Sequence, residues 1–272
     1  MRAQFSKMMA AVLFAGLSLA ASGATAETLR LAGTGGIIEA MQQIAPKFTA
    51  ASGIQLEVIV GLGSSGAMRA IADGKIHVVA AARALTPDEA KGPLVSHPFA
   101  RTPLVFVTSH PKPNGLKSGD IAAIFAAENP KWQDGTPLKI ILRPKVDADT
   151  ALVERTIPNI AAAILRARQR PDVLVAVTDQ DNVNLARRLD GSLSPAGYGQ
   201  IVAEQSDLRL VAIDGVMPSL DTLANGTYPY EKIFYLVFAR DRNAGAEQLL
   251  RFLGSDDGRK ALLATGNLPV GE

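Results

Sequence analysis

The sequence predicts an α/β protein with largely parallel sheets. Two observations carry this: short β-like runs alternate with helix-period runs along the chain, and Gly-rich turns join strands to helices. Composition agrees. At 47% hydrophobic and 20% charged residues the chain has material for a packed core and is no disordered polymer. Its 272 residues make one large domain or two of ordinary size.

In chain order, residues 1–26 read first as a secretory signal. Arg2 and Lys7 supply a basic start, Met8 to Ala21 is almost wholly apolar, and Ala24-Thr25-Ala26 offers a cleavage site before Glu27. The apolar run is shorter than the ~20 residues a membrane span needs, so a soluble, exported mature chain is expected. Two of the 28 basic residues lie in the signal, which leaves 26 basic against 26 acidic. The remaining chain is neutral, and its overall charge marks neither nucleic acid nor anionic lipid as a partner.

Leu29–Ala32 reads as a strand, followed by Gly33-Thr34-Gly35-Gly36 and a helix with Ile37, Met41, Ile44 and Phe48 on one face, ended by Gly53. Leu56–Val60 is the next strand. Gly61-Leu62-Gly63-Ser64-Ser65-Gly66 follows it, then a helix through Ala67, Ala70 and Ile71. His77–Ala81 is a third short strand. Leu104–Val107 is a strand bounded by Pro103 and Pro111. A helix at 118–127, a strand at 138–142, a helix at 159–169, a strand at 173–177 and a helix through Val183, Ala186 and Leu189 follow. Arg166, Arg168 and Arg170 read as a solvated helix face. Strands at 208–213 and 233–239 precede two helices, 244–253 and 256–265, closed by Gly266.

Chemistry is limited by what the chain lacks. Zero cysteine removes disulfides, thiolate metal sites and cysteine nucleophiles. His77, His97 and His110 have no ligand spacing, so no metal is expected. There is no P-loop and no Gly-x-Ser-x-Gly elbow, and Gly61-Leu62-Gly63-Ser64-Ser65-Gly66, though it has Gly-x-Gly-x-x-Gly spacing, lacks the acidic residue after the next strand that a full dinucleotide fingerprint needs. The positive signals are the two strand–turn–helix junctions at Thr34-Gly35 and Ser64-Ser65. A turn of this kind offers backbone N–H groups and hydroxyls at a helix N-terminus, where anions are favoured, although ordinary capping uses the same residues. Arg83 and Arg143 each follow a strand at the sheet edge where open α/β sheets bind ligands. Either could grip an oxoanion with two hydrogen bonds or make a surface ion pair.

With these landmarks the sequence resembles the secreted solute-binding proteins of phosphate ABC transporters. Leu31-Ala32-Gly33-Thr34-Gly35-Gly36 and Gly63-Ser64-Ser65-Gly66 resemble that family's two anion loops, and Ala81-Ala82-Arg83-Ala84-Leu85-Thr86 resembles its segment ending in Ser-Arg. Leu116–Ile121 with Ile124-Phe125, the Trp turn Lys131–Gly135, Gly197-Tyr198, Pro218-Ser219, Gly226–Pro229 and Ser255–Gly258 follow in the family's order. The resemblance implies a type II periplasmic binding fold: two α/β lobes, 27–102 with 231–272 and 103–230, joined by crossover strands around a ligand cleft. It also implies a periplasmic, monomeric, non-enzymatic protein without cofactor. Its partners would be a small oxoanion such as phosphate and an ABC transporter permease.

The implied ligand-binding residues are Thr34, Gly35, Ser64, Ser65, Arg83, Arg143, Asp149 and Thr150. Here the sequence departs from the family. The Ser-Gly-Thr turn of the second lobe becomes Ala148-Asp149-Thr150, and His77 aligns with a family aspartate that accepts the phosphate proton. An added carboxylate repels a dianion unless a ligand proton is available to it. The acceptor has therefore crossed the cleft, or the ligand is another anion such as molybdate, sulfate or a carboxylate, or Asp147 and Asp149 face solvent and cap a helix. A recognition protein without a transporter and an enzyme on the same scaffold are the more distant alternatives.

Overall fold

The computed structural model describes residues 27–240 and 244–270; the signal expected at 1–26 lies outside them. The first lobe opens with β1 (Thr28–Gly33), α1 (Gly35–Ser52), β2 (Gln55–Ile59), α2 (Gly63–Ala72) and β3 (Val78–Ala81). A long strand, β4 (Leu94–Thr108), leads into the second lobe: α3 (Ser118–Ala126), β5 (Lys139–Leu142), α4 (Ala148–Thr156), α5 (Ile160–Ala167), β6 (Leu174–Val175), α6 (Asp179–Arg188), β7 (Ser192–Gly197), α7 (Tyr198–Ala203), β8 (Arg209–Val211) and α8 (Leu220–Ala224). A second long strand, β9 (Glu231–Ala239), returns to the first lobe. There α9 (Ala244–Gly254), α10 (Asp256–Ala264) and β10 (Leu268–Pro269) complete it.

The strand order is β2-β1-β3-β9-β4-β7-β5-β6, with β8 and β10 added on β4. β1 pairs in parallel with β2 and β3, and β5 with β6 and β7. Every pairing of β4 and β9 is antiparallel. The expectation of largely parallel sheets therefore holds within each lobe and fails at the junction, because two strands cross between lobes in opposite directions. β4 changes partner midway, pairing with β9 up to Pro103 and with β7 from Leu104. Its first half was hidden in the sequence by two prolines, which lack the N–H a ladder needs. Pro98 sits at a register shift and Pro103 at the change of partner, where the ladder is interrupted anyway. β7 was hidden likewise by Ser, Pro and Gly, yet it is wholly buried between β4 and β5.

Each lobe has its own core. Leu29, Leu31, Ile37, Met41, Ile44 and Phe48 pack with Phe234, Leu249 and Phe252 in the first. Phe106, Ile121, Phe125, Trp132, Ile140, Ile160 and Tyr228 pack together in the second. The apolar face of α1 read from the sequence is the buried one. Of the expected arginine face Arg166 is exposed, and Arg168 and Arg170 are a correction. Arg168 donates from Nη2 to the Arg143 carbonyl at 2.5 Å, and Arg170 donates to the Ala127 carbonyl. The chain ends the helix at Ala167, and these side chains turn back to satisfy carbonyls instead of facing water.

Candidate functional site

The cleft lies between the lobes and holds about 600 Å³. Its first wall is the N-terminus of α1. Gly33 is required there, since a side chain would meet the Ala80 carbonyl oxygen at 1.9 Å. Thr34 occupies the cap position with extended backbone, but its hydroxyl makes no bond to its own helix. It donates instead to Asp179 Oδ2 across the cleft, at 3.0 Å. The backbone N–H of Gly36 also donates to Asp179. Asp179 is the first residue of α6, behind a capping box made by Thr178 and Asp181. Its carboxylate therefore lies at the positive ends of two helices from two lobes. Gly35 permits this approach, because a Cβ there would meet Asp179 Cβ at 2.7 Å and Gln180 Oε1 at 2.4 Å.

The second wall is the N-terminus of α2. Gly61 and Gly63 take positive φ, +85° and +61°, which turns the chain sharply into the helix. Leu62 stands at the cap position and offers no capping side chain. Ser64 accepts from the Ala82 N–H at 3.2 Å, fixing the loop to the end of β3. Ser65 is exposed on the cleft.

The floor comes from the second lobe. Arg143 follows β5, is 3% exposed, and donates from Nη1 to the Ala176 carbonyl at 2.9 Å and from Nη2 to Asp147 at 2.8 Å. Its Nη2 lies 3.6 Å from Asp179, and its buried Nε has no hydrogen-bond partner. Asp147 caps α4 by accepting from the Asp149 N–H. Arg83 is held at the rim by two bonds to Glu89, at 2.7 and 2.9 Å, which hold the Glu89 carboxyl down at about 2.

Behind the floor, Lys232 of β9 is fully buried and meets Asp149 at 2.5 Å. Arg143 and Lys232 thus share one cluster with three carboxylates, so one negative charge is in surplus. Burial pushes the Asp149 carboxyl up, Asp179 and Asp147 add to that push, and Lys232 opposes it. Asp179 goes the other way. Burial opposes its charge, but Lys232, Arg143, Thr34 and the Gly36 N–H outweigh it and lower its pKa. Lys232 is raised: burial works against its charge, and Asp149 and Asp179 overcome it.

Of the residues expected at the site, Thr34, Gly35, Ser64, Ser65, Arg83 and Arg143 line the cleft. Asp149 and Thr150 lie behind it. Thr150 donates to the Arg143 and Pro144 carbonyls and so fixes the backbone of the floor. His77 is a correction. It precedes β3 at the end away from the cleft, where its Nδ1 accepts from the Arg30 N–H at 2.9 Å, and it replaces no cleft acid. Asp149 does not face solvent, and Asp147 is the helix cap. The sequence reading missed Asp179 and Lys232. The Thr-x-x-Asp pattern at 178–181 marks a helix start in the sequence, but nothing local shows that Asp179 inside it ties the two lobes.

A model of the PBP superfamily domain matches residues 18–257. The chain belongs to that superfamily. No curated relative matches it in sequence. Among solved structures it superposes on a candidate phosphate ABC transporter substrate-binding protein from Clostridium perfringens, solved with bound phosphate. The TM-score is 0.76 at 14% identity, over 90% of this chain and 100% of that one. An ABC-type phosphate transport receptor from Vibrio cholerae gives 0.63 at 16% identity, covering 88% and 99%. The periplasmic molybdate-binding protein of Azotobacter vinelandii gives 0.59 at 13%, covering 90% and 100%. This PBP-superfamily chain therefore has the two-lobed binding-protein fold. Among its described residues no helix is long and apolar enough to cross a membrane.

Proposed function

We propose that this protein captures a small oxoanion, phosphate first, in the interlobe cleft and delivers it to an ABC transporter permease. The observation that carries the reading is the lining of the cleft. The uncapped N-terminus of α2 shares it with Arg69, Arg83, Arg143 and Lys145, against two carboxylates that Arg143 already engages. Asp179 adds weight, since an oxyanion of the chain's own already sits against the N-terminus of α1. The lobes, 27–102 with 231–272 and 103–230, would close on the ligand by bending where β4 and β9 cross. Residues 1–26 would direct export to the periplasm, and binding would involve no covalent step. The phosphate-binding structural neighbours support this choice of anion.

The surplus carboxylate favours a second reading, in which the same cleft takes another anion such as molybdate, sulfate or a carboxylate. Calorimetric titration with phosphate, sulfate, molybdate and acetate separates the two. Phosphate binding tighter than the other three supports the first reading. A folded protein that binds none of them rejects both.

A further inference from the structure

The innermost anion position of the cleft is taken by the chain itself. Thr34 and Gly36 donate to Asp179, and the Gln180 side chain donates to the Gly35 carbonyl at 3.3 Å beside it. A ligand therefore lies further out, in the open volume of about 600 Å³.

The lining of this outer volume is of two kinds. At its base stand the α2 N-terminus and Arg143, whose buried Nε lacks a partner. At its mouth stand Leu62, Val146 and Val177, 39%, 88% and 70% exposed. They come from three separate loops, before α2, before α4 and before α6. One exposed valine needs no explanation, but here three exposed apolar side chains line one polar cavity. An oxyanion oxygen directed at them would lose water without gaining a donor. An alkyl or aryl group in that place would cover them.

We propose that the ligand is a phosphomonoester. Its phosphoryl head would be held by the α2 N-terminus and Arg143, and its short apolar substituent by Leu62, Val146 and Val177. This rests on the oxoanion reading of the cleft and names the class of oxoanion. No bond is made or broken in the event.

Calorimetry of the exported chain with inorganic phosphate, methyl phosphate, n-butyl phosphate and phenyl phosphate tests it. The n-butyl and phenyl esters should bind at least about tenfold tighter than inorganic phosphate, equivalent to about 1.4 kcal/mol. In the Val146→Ser/Val177→Ser double variant, whose folding is checked by its melting curve, the ratio of ester to phosphate affinity should fall toward one. Phosphate bound as tightly as the esters, or more tightly, overturns the ester proposal and leaves the oxoanion reading standing. An ester preference that survives in the double variant overturns the role given to the rim. A folded protein that binds neither phosphate nor esters overturns both the proposal and the reading beneath it.

Discussion

Removing the Asp179 carboxylate should loosen the tie between the lobes and leave a hole with the shape of a small anion. In Asp179→Ala, Thr34 loses its acceptor at 3.0 Å, the Gly36 N–H loses its partner, and Arg143 keeps Asp147 and the Ala176 carbonyl. Charge-assisted hydrogen bonds contribute about 1.5–3 kcal/mol each. Stripping one partner from a buried charged cluster costs about 3–5 kcal/mol. A loss of that size corresponds to a fall in melting temperature of roughly 10 °C for a chain of this length. Asp179→Asn keeps an acceptor for Thr34 and loses the charge, so it should fall between Ala and the parent. Acetate should refill the hole. At ten times its dissociation constant it restores about 1.4 kcal/mol to the Ala variant and little to the parent. The assay is differential scanning fluorimetry over an acetate series, with small-angle scattering to follow the separation of the lobes. An Ala variant melting within about 1 °C of the parent would refute the tie between lobes. Equal stabilisation of variant and parent by acetate would refute the anion-shaped hole.

The other predictions concern the same cluster and its rim. Lys232→Met leaves Asp149 buried without its cation and should destabilise by about 3–5 kcal/mol, while Lys232→Met/Asp149→Leu should recover much of the loss; a thermal double-mutant cycle measures the coupling. The pH dependence has two limbs of opposite sign. Asp179 is depressed, so its contribution is present above the ordinary carboxylate range and is lost as pH falls through its folded pKa. Asp149 is raised, so its contribution is complete below that range and is lost as pH rises through its folded pKa. Asp179→Asn should therefore flatten the acid limb of melting temperature against pH, and Asp149→Asn the limb above it. Arg143→Ala should weaken anion binding by tenfold or more in calorimetry. Arg83→Ala should cost at most about 1 kcal/mol of stability in denaturant unfolding, because its pair with Glu89 is partly solvated.

The legible part of this protein was the part written in local periodicity. The stripe of Ile37, Met41, Ile44 and Phe48 made α1, and the glycine turns before α1 and α2 placed two helix N-termini on the cleft. Arg143 was legible from its place just after a strand. Ser, Gly and Pro at 192–197 concealed β7, because burial between two neighbours supplied what propensity did not.

The sequence by itself determined the α/β alternation, the absence of thiol chemistry, the balance of 26 basic and 26 acidic residues after position 26 and the two glycine-rich strand–helix turns. All of these follow from residues adjacent in the chain. The tertiary structure alone decided what fills the cleft. Thr34 and Asp179 are 145 positions apart, and Lys232 meets Asp149 across the crossover strands. A carboxylate at a helix start looks the same in sequence whether it caps its own helix or answers another. Only when the two lobes are folded together do two helix N-termini, two cations and three carboxylates come to share one buried volume. There the cost of desolvating charge forces each to find a partner.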